Sequence, residues 1–304
     1  MAISAKDVKE LRELSGAGIM DCKKALQETD GDIDEAMSYL QKKGEAAAEK
    51  KAGRTAAEGL VETWVDDDLS AAVMVEVNCE TDFVSQNDKF QAFVDTILET
   101  IEVSNAASVE DLQEVTAVGS EKSVGDYIAE QITTIGENIK VRRFVRFDVD
   151  DGIFGAYVHA GGQIGVMVRT ELDDGADRDE ALTFARDVAM HVAAMNPGYL
   201  REDDIPEADE EAQREILRAQ AEEMDKPDPV IEKIVTGRLQ KWRSENVLVN
   251  QPFVKDSDTE VGELEDDIDG VSLHSFVRYE VGEGIEDDDE KSLSEEVAEQ
   301  LRGS

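Results

Sequence analysis

The 304-residue chain is 40% hydrophobic, which gives it interior enough for two or three compact units. Its 72 Asp and Glu outweigh 31 Lys and Arg to a net charge of −41, which repels the nucleic-acid backbone at low salt. No apolar stretch approaches the ~18 residues of a membrane span, and the N-terminus, MAISAKDVKE, lacks the basic region and apolar run of a signal peptide, so a cytoplasmic protein is expected.

Two cysteines, Cys22 and Cys79, are too few for a disulfide framework and read as buried thiols of a reducing compartment. Residues 1–53 hold 11 acids and 9 bases, so a net of −39 falls on the remainder. These acids are spread along the whole body, with runs at 66–68, 265–267 and 286–289. Solvated loops would account for the runs alone. Adaptation to a salt-rich cytoplasm, whose cations screen the self-repulsion, accounts for the spread.

In chain order, Ser4 and Asp7 make a variant capping box ahead of Val8, Leu11 and Leu14, whose spacing gives one apolar helical face. Gly16 and Gly18 break that helix. A second runs over about 19–27, and Asp30-Gly31 turns the chain again. Asp32 with Glu35 repeats the cap signal before Ile33, Met37 and Leu40, and Gly44 is expected to end the third helix. Residues 45–54, EAAAEKKAGR, then read as a charged tether.

Beyond the tether the chain repeats. A shift of 93 residues lays residues 59–75, GLVETWVDDDLSAAVMV, on residues 152–168, GIFGAYVHAGGQIGVMV, without a gap. Each copy reads as a two-stranded hairpin followed by an amphipathic helix, near 87–101 and 179–195. Residues 141–149 and 271–281 supply a third strand to each copy, so each closes a three-stranded antiparallel sheet with helices on one face. After the shared strands the first copy continues Glu80-Thr81-Asp82-Phe83 where the second has Asp173-Asp174-Gly175-Ala176. The fold therefore does not require an aromatic at position 83.

Residues 206–244 read as an antiparallel helical hairpin, with Ile216, Leu217 and Met224 facing Val230, Ile234, Val235 and Leu239, and Pro229 in a first helical turn. A last helix is expected at 292–302. The chemistry of common sites is missing. There is no GxxxxGK[ST], and Gly16-Ala17-Gly18 is a broken dinucleotide fingerprint between helices. His159, His191 and His274 lack partners at metal spacing. Glu265, Asp267, Asp269 and Gly270 mimic a calcium loop whose twelfth position is Phe276 where a bidentate Glu is needed. No enzyme activity, cofactor or metal is expected.

Five blocks carry a resemblance: residues 78–84, NCETDFV; 8–24, VKELRELSGAGIMDCKK; 135–143, IGENIKVRR; 191–197, HVAAMNP; and 276–286, FVRYEVGEGIE. Together, in the order in which they stand along the chain, they resemble the elongation factor Ts family, the guanine-nucleotide exchange factors of bacterial translation, over nearly the whole chain. The resemblance implies an α+β fold: an N-terminal three-helix ubiquitin-associated-like domain with its tether (1–54), two related α+β subdomains (55–148 and 149–286) with the hairpin inserted at 206–244, and a C-terminal helical module (287–304). It also implies elongation factor Tu as partner, in its GDP-bound and nucleotide-free forms, with no direct nucleic acid and no membrane; a homodimer stays open.

The same resemblance gives roles to individual residues. Asp82 and Phe83 would press into the partner's G domain beside its Mg²⁺ and dislodge the ion, with Thr81 and Val84 fixing the turn. Read locally, Asp82 would instead cap the next helix and Phe83 would lie beneath it. Arg12, Ile19 and Met20 match positions that meet a helix of the partner, and His159 matches a residue on the face turned to it. Ile19 or Met20 is equally a core residue, and a bundle of this size, with its need for about six core positions, is expected to take at least one of them inside. His159 serves equally as a strand-end residue, and the terminal helix matches a module that docks on the partner. The alternative function is a ubiquitin-associated-type adaptor on a passive scaffold, which expects Phe83 buried where an exchange factor expects its ring open to solvent.

Overall fold

The computed structural model describes residues 3–224 and 226–285. The helix expected at 292–302 lies outside them. The head consists of α1 (Ala5–Ser15), α2 (Ile19–Glu28) and α3 (Ile33–Lys51). Ser4 Oγ accepts the Asp7 N–H at 3.2 Å while Asp7 Oδ2 accepts the Ser4 N–H at 3.0 Å, so the expected box closes reciprocally. Gly16 then ends α1 in the left-handed region, with φ at 67°. Asp32 caps α3 through the Glu35 N–H. Leu11, Cys22, Ala25, Leu26 and Ala36 form the buried centre of the head.

Gly44 does not end α3. The helix runs on to Lys51 because its second half packs on α7 (Val124–Ile135) of the body. A Cβ at Gly44 would stand 3.4 Å from Thr133 Oγ1, so the two helices are in contact there. Ala48 packs against the first body core, and Lys51 Nζ donates to the Ile132 carbonyl at 3.1 Å. These contacts offset the roughly 1 kcal/mol that a glycine costs inside a helix. The stretch read as a tether is thus mostly a docked helix. Leu14, placed on the apolar face by its spacing, is exposed.

The body begins with β1 (Glu58–Val65) and β2 (Ala71–Cys79), followed by α4 (Asp82–Ser85), α5 (Asp88–Val103), α6 (Val109–Glu114), α7 and β3 (Lys140–Asp148). The second unit runs β4 (Ile153–His159), β5 (Ile164–Leu172), α8 (Arg178–Met195), α9 (Glu207–Glu222), α10 (Asp228–Asn246), β6 (Pro252–Phe253), β7 (Asp256–Glu260), α11 (Val261–Asp266) and β8 (Val271–Glu280). Two three-stranded antiparallel sheets result, ordered β1-β2-β3 and β4-β5-β8. Each has helices on one face, as expected. The other faces meet.

Strand alternation sorts the residues. Val73, Val75, Val77 and Cys79 of β2 join Phe90, Phe93, Val94 and Ile97 of α5, while Ala72 and Met74 point the other way, to Phe154 and Met167 of the second sheet. Val166 and Val168 of β5 pack likewise on α8. A Cβ at Gly165 would fall 2.3 Å from Val61 Cγ1, so the two sheets touch there.

The repeat holds in backbone detail. Gly59 and Gly152, equivalent under the 93-residue shift, take φ of +149° and +142°, and a Cβ on either would collide with the carbonyl oxygen of Val77 or Thr170, at 2.1 and 2.3 Å. Both sheets bulge at the equivalent step, Glu76/Val77 in one and Arg169/Thr170 in the other.

The bulge residue of the first copy joins the sheets. Glu76 is fully buried and accepts from Arg142 at 2.9 Å, Arg143 Nε at 2.6 Å and the Gly282 N–H at 2.9 Å. The Arg143 guanidinium also stacks 4.0 Å over the Tyr279 ring of β8. Burial alone would raise the Glu76 pKa, but the Gly282 N–H and the two arginines outweigh it and hold the carboxyl below its ordinary value.

In the hairpin α9 and α10 pack through Leu217, Ala221, Ile231, Val235 and Leu239. Ile216, Met224 and Val230, expected in that seam, are exposed instead, because the register places Ala221 and Ile231 there. No helix among the described residues is long and apolar enough to cross a membrane.

Candidate functional site

At the end of β2 the chain turns outward through Glu80 and Thr81 into the single turn of α4. Thr81 stands at the N-cap position, with φ −134° and ψ 151°, but its hydroxyl does not cap the helix. It donates to Glu137 Oε1 at 2.7 Å, while Glu137 Oε2 accepts the N–H groups of Glu80 and Thr81, each at 3.0 Å. The Thr81 carbonyl accepts the Cys79 thiol at 3.2 Å and the N–H groups of Val84 and Ser85 at 3.1 and 3.3 Å. Burial first, and then the neighbouring Glu137 charge, push the Cys79 thiol up to about 12, so it stays a donor.

The turn divides its four residues. Val84 packs half-buried on the first body core and Ser85 is buried, its Oγ donating to the Asp82 carbonyl at 2.9 Å. On the opposite side Asp82 is exposed and the Phe83 ring is 84% exposed, more than any other large hydrophobic side chain among the described residues. No described residue donates to the Asp82 carboxylate. The local alternative, with Asp82 as a cap and Phe83 beneath the helix, fails on both counts: Thr81 occupies the cap position, and the inward places of a single turn are filled by Val84 and Ser85.

The other expected residues lie elsewhere. Arg12 and Ile19 line a shallow groove on the head together with Ile3, Val8, Lys9 and Lys23. Ile19 is 55% and Met20 74% exposed, so neither enters the core as expected. The small residues Cys22 and Ala25 fill it, closed over by the half-buried Ile33, Met37 and Leu40. His159 ends β4, exposed, with Nδ1 2.9 Å from the Tyr157 hydroxyl. No described hydrogen bond or ion pair joins the turn, the head groove and His159.

His191 is structural. Its Nδ1 accepts the Val254 N–H at 3.1 Å, which leaves the proton on Nε2 for Gln251 Oε1 at 2.8 Å, and burial lowers its pKa. The calcium-like segment is also spent on the fold, since Glu265 Oε1 accepts from Arg201 at 2.6 Å and from the Leu273 N–H at 2.8 Å. Among the described residues no cluster of three or more His, Cys, Asp or Glu could hold a metal.

Sequence reasoning missed Glu137, Glu80, Asn138 and Arg54. Glu80 Oε1 accepts the Asn138 N–H at 2.6 Å and Arg54 at 3.3 Å, and Asn138 Nδ2 donates to the Arg54 carbonyl at 2.7 Å. The signal was faint: Glu137 and Asn138 lie in the block 135–143, and nothing local says that it folds against residue 80.

The family described as Elongation factor TS matches residues 80–283. An elongation factor Ts of Halothermothrix orenii is 47% identical over 300 residues, which cover 98% of this chain and 99% of that protein. One of Clostridium botulinum (strain Alaska E43) is 44% identical over 304 residues, with 98% and 99% covered. One of Trichlorobacter lovleyi is 44% identical over 306 residues, with 98% of each covered.

Proposed function

The chain belongs to the elongation factor Ts family, and we propose on that footing that it is a guanine-nucleotide exchange factor for elongation factor Tu whose working end is the Asp82–Phe83 turn. The observation that carries this reading is the Phe83 ring, held open to solvent on a turn whose backbone is fixed from beneath. An adaptor would have this aromatic packed inward. A wedge needs the reverse.

Exchange of this kind involves no covalent step. Mg²⁺ bridges and neutralises phosphate oxygens, so disturbing its coordination loosens GDP by electrostatics alone. Phe83 supplies the apolar driving force, because burying the ring in the partner returns about 2 to 3 kcal/mol. Asp82, with no donor among the described residues, brings a carboxylate to offer the partner. Thr81 and Val84 hold the turn, one by its hydroxyl and the other by its packing.

The head contributes a second contact through Arg12, Ile19 and Met20, where apolar area and a basic rim are exposed together, and His159 offers a third. In this reading residues 1–54 anchor the complex and the body acts. Stopped-flow release of labelled GDP from elongation factor Tu tests the proposal. The full chain should accelerate release, and Phe83→Ala should lose most of that acceleration while remaining folded. Wild-type acceleration by the folded variant would overturn it.

A further inference from the structure

The two copies of the repeat close the same corner differently. In the first sheet Val77 pairs with Val141, and in the second its equivalent Thr170 pairs with Leu273, so Asn138 corresponds to Gly270 and Glu137 to Asp269. In the second copy the Asp173 N–H donates to the Gly270 carbonyl at 2.8 Å, one backbone bond that suffices to turn the chain. Asp269 is exposed and takes no part. In the first copy the equivalent N–H, that of Glu80, goes to the Glu137 carboxylate, which also holds the N–H and the hydroxyl of Thr81. The fold therefore does not need this carboxylate. The copy that carries an exposed Phe has it, and the copy that carries Ala176 does not.

We propose that Glu137 is a positioning residue for exchange, fixing Thr81 so that Asp82 and Phe83 project in one orientation. This rests on the reading of Phe83 as the wedge. A turn of four residues has little rigidity of its own, and each freed dihedral would let the ring sweep away from the direction in which it must enter the partner. Glu137 restrains the turn at two consecutive N–H groups and one hydroxyl, and charge-assisted bonds of this kind are stronger than neutral ones. The restraint is itself anchored. Glu137 follows the C-terminus of α7, and the neighbouring Asn138 and Glu80 bind one another and Arg54, just beyond the end of α3. The turn is thus referred to α3 and α7, the helix pair through which the head meets the body.

The test uses the full chain with elongation factor Tu carrying labelled GDP. Glu137→Ala should lower the release rate at saturating factor about tenfold to hundredfold, with a melting temperature close to that of the wild type. Glu137→Gln, which keeps one acceptor oxygen, should fall between. The decisive readout is a cycle with Phe83→Ala: if Glu137 acts through the ring, adding Glu137→Ala to Phe83→Ala costs little further. A residue that merely stabilises the fold would lower the melting temperature and add its full loss in either background. Wild-type release by folded Glu137→Ala, or full additivity, would overturn the proposal. Should Glu137→Ala fail to fold, Thr81→Val removes the hydroxyl contact alone and faces the same criterion. Unimpaired release by Phe83→Ala would instead overturn the wedge reading, whereas impaired Phe83→Ala beside unimpaired Glu137→Ala would overturn only the positioning role.

Discussion

An aromatic ring left in water forgoes about 2 to 3 kcal/mol that burial would return, so a protein that anchors its backbone beneath such a ring has not simply failed to pack it. The exposure of Phe83 followed from the resemblance of residues 78–84, and the repeat leaned the same way, since the second copy has Gly175 and Ala176 in the places of Asp82 and Phe83. Glu137 was not legible, because its partner lies 57 residues away and a lone carboxylate beside a helix end has no local signature. Ile19 and Met20 were misjudged for a different reason. Counting apolar positions assumes that large residues fill a small core, and here Cys22 and Ala25 take that space.

Buried ionisable groups give the residue scale its pH dependence. His191 has a folded pKa below its usual 6.5, so its stabilising effect is full above that value and falls as the unfolded chain takes up a proton that the native site refuses. Glu76 also has a depressed folded pKa; its contribution is present above the usual 4.5 and is lost as pH falls towards the folded value. These two contributions should therefore fall away in two stages on acidification, the first below about pH 6.5. His191→Gln should flatten the first stage and leave the second, as followed by denaturant midpoints against pH. Glu76→Ala, which leaves two arginines without their carboxylate at the sheet interface, should cost about 3 kcal/mol or more at neutral pH.

Among the elements, the strands and the long helices followed from alternation and caps, and the third strand of each sheet was placed to within a residue or so at its ends. The meeting of the two sheets was not foreseen, although β2 carries it in its sequence: a strand buried on both faces has covers on both sides. Gly44 misled because the packing of α3 on α7 carries the helix past it. Removing residues 1–53 takes away that docked face as well as the head. The remaining body should still fold on its two cores, melt a few degrees lower, consistent with about 1 to 2 kcal/mol lost, and bind elongation factor Tu more weakly. Calorimetric melts and titrations of the truncated chain check both parts, and unchanged affinity would remove the anchoring role.

At the scale of the whole molecule the dominant property is charge. A net of −41 compressed into one folded chain opposes the compact state, and mobile cations relieve that opposition. If the surface is adapted to a salt-rich cytoplasm, the melting temperature should rise from low to molar KCl. A midpoint that is flat or falling would leave the acids as ordinary solvated surface.

Whole-molecule behaviour also decides what an exchange factor is. A factor that binds the nucleotide-free partner more tightly is loosened by nucleotide in equal measure, so the energy of the wedge appears as coupling between two ligands. The measurement that reads this most directly is the rate of GDP release from elongation factor Tu at saturating Phe83→Ala, taken together with the melting temperature of the variant. Loss of about 2 to 3 kcal/mol of contact should slow catalysed release roughly 30- to 150-fold and leave the melting temperature nearly unchanged, since the ring is 84% exposed. Wild-type release by the folded variant, or a collapse of stability of the about 3 to 5 kcal/mol that a core Phe would cost, would contradict the account.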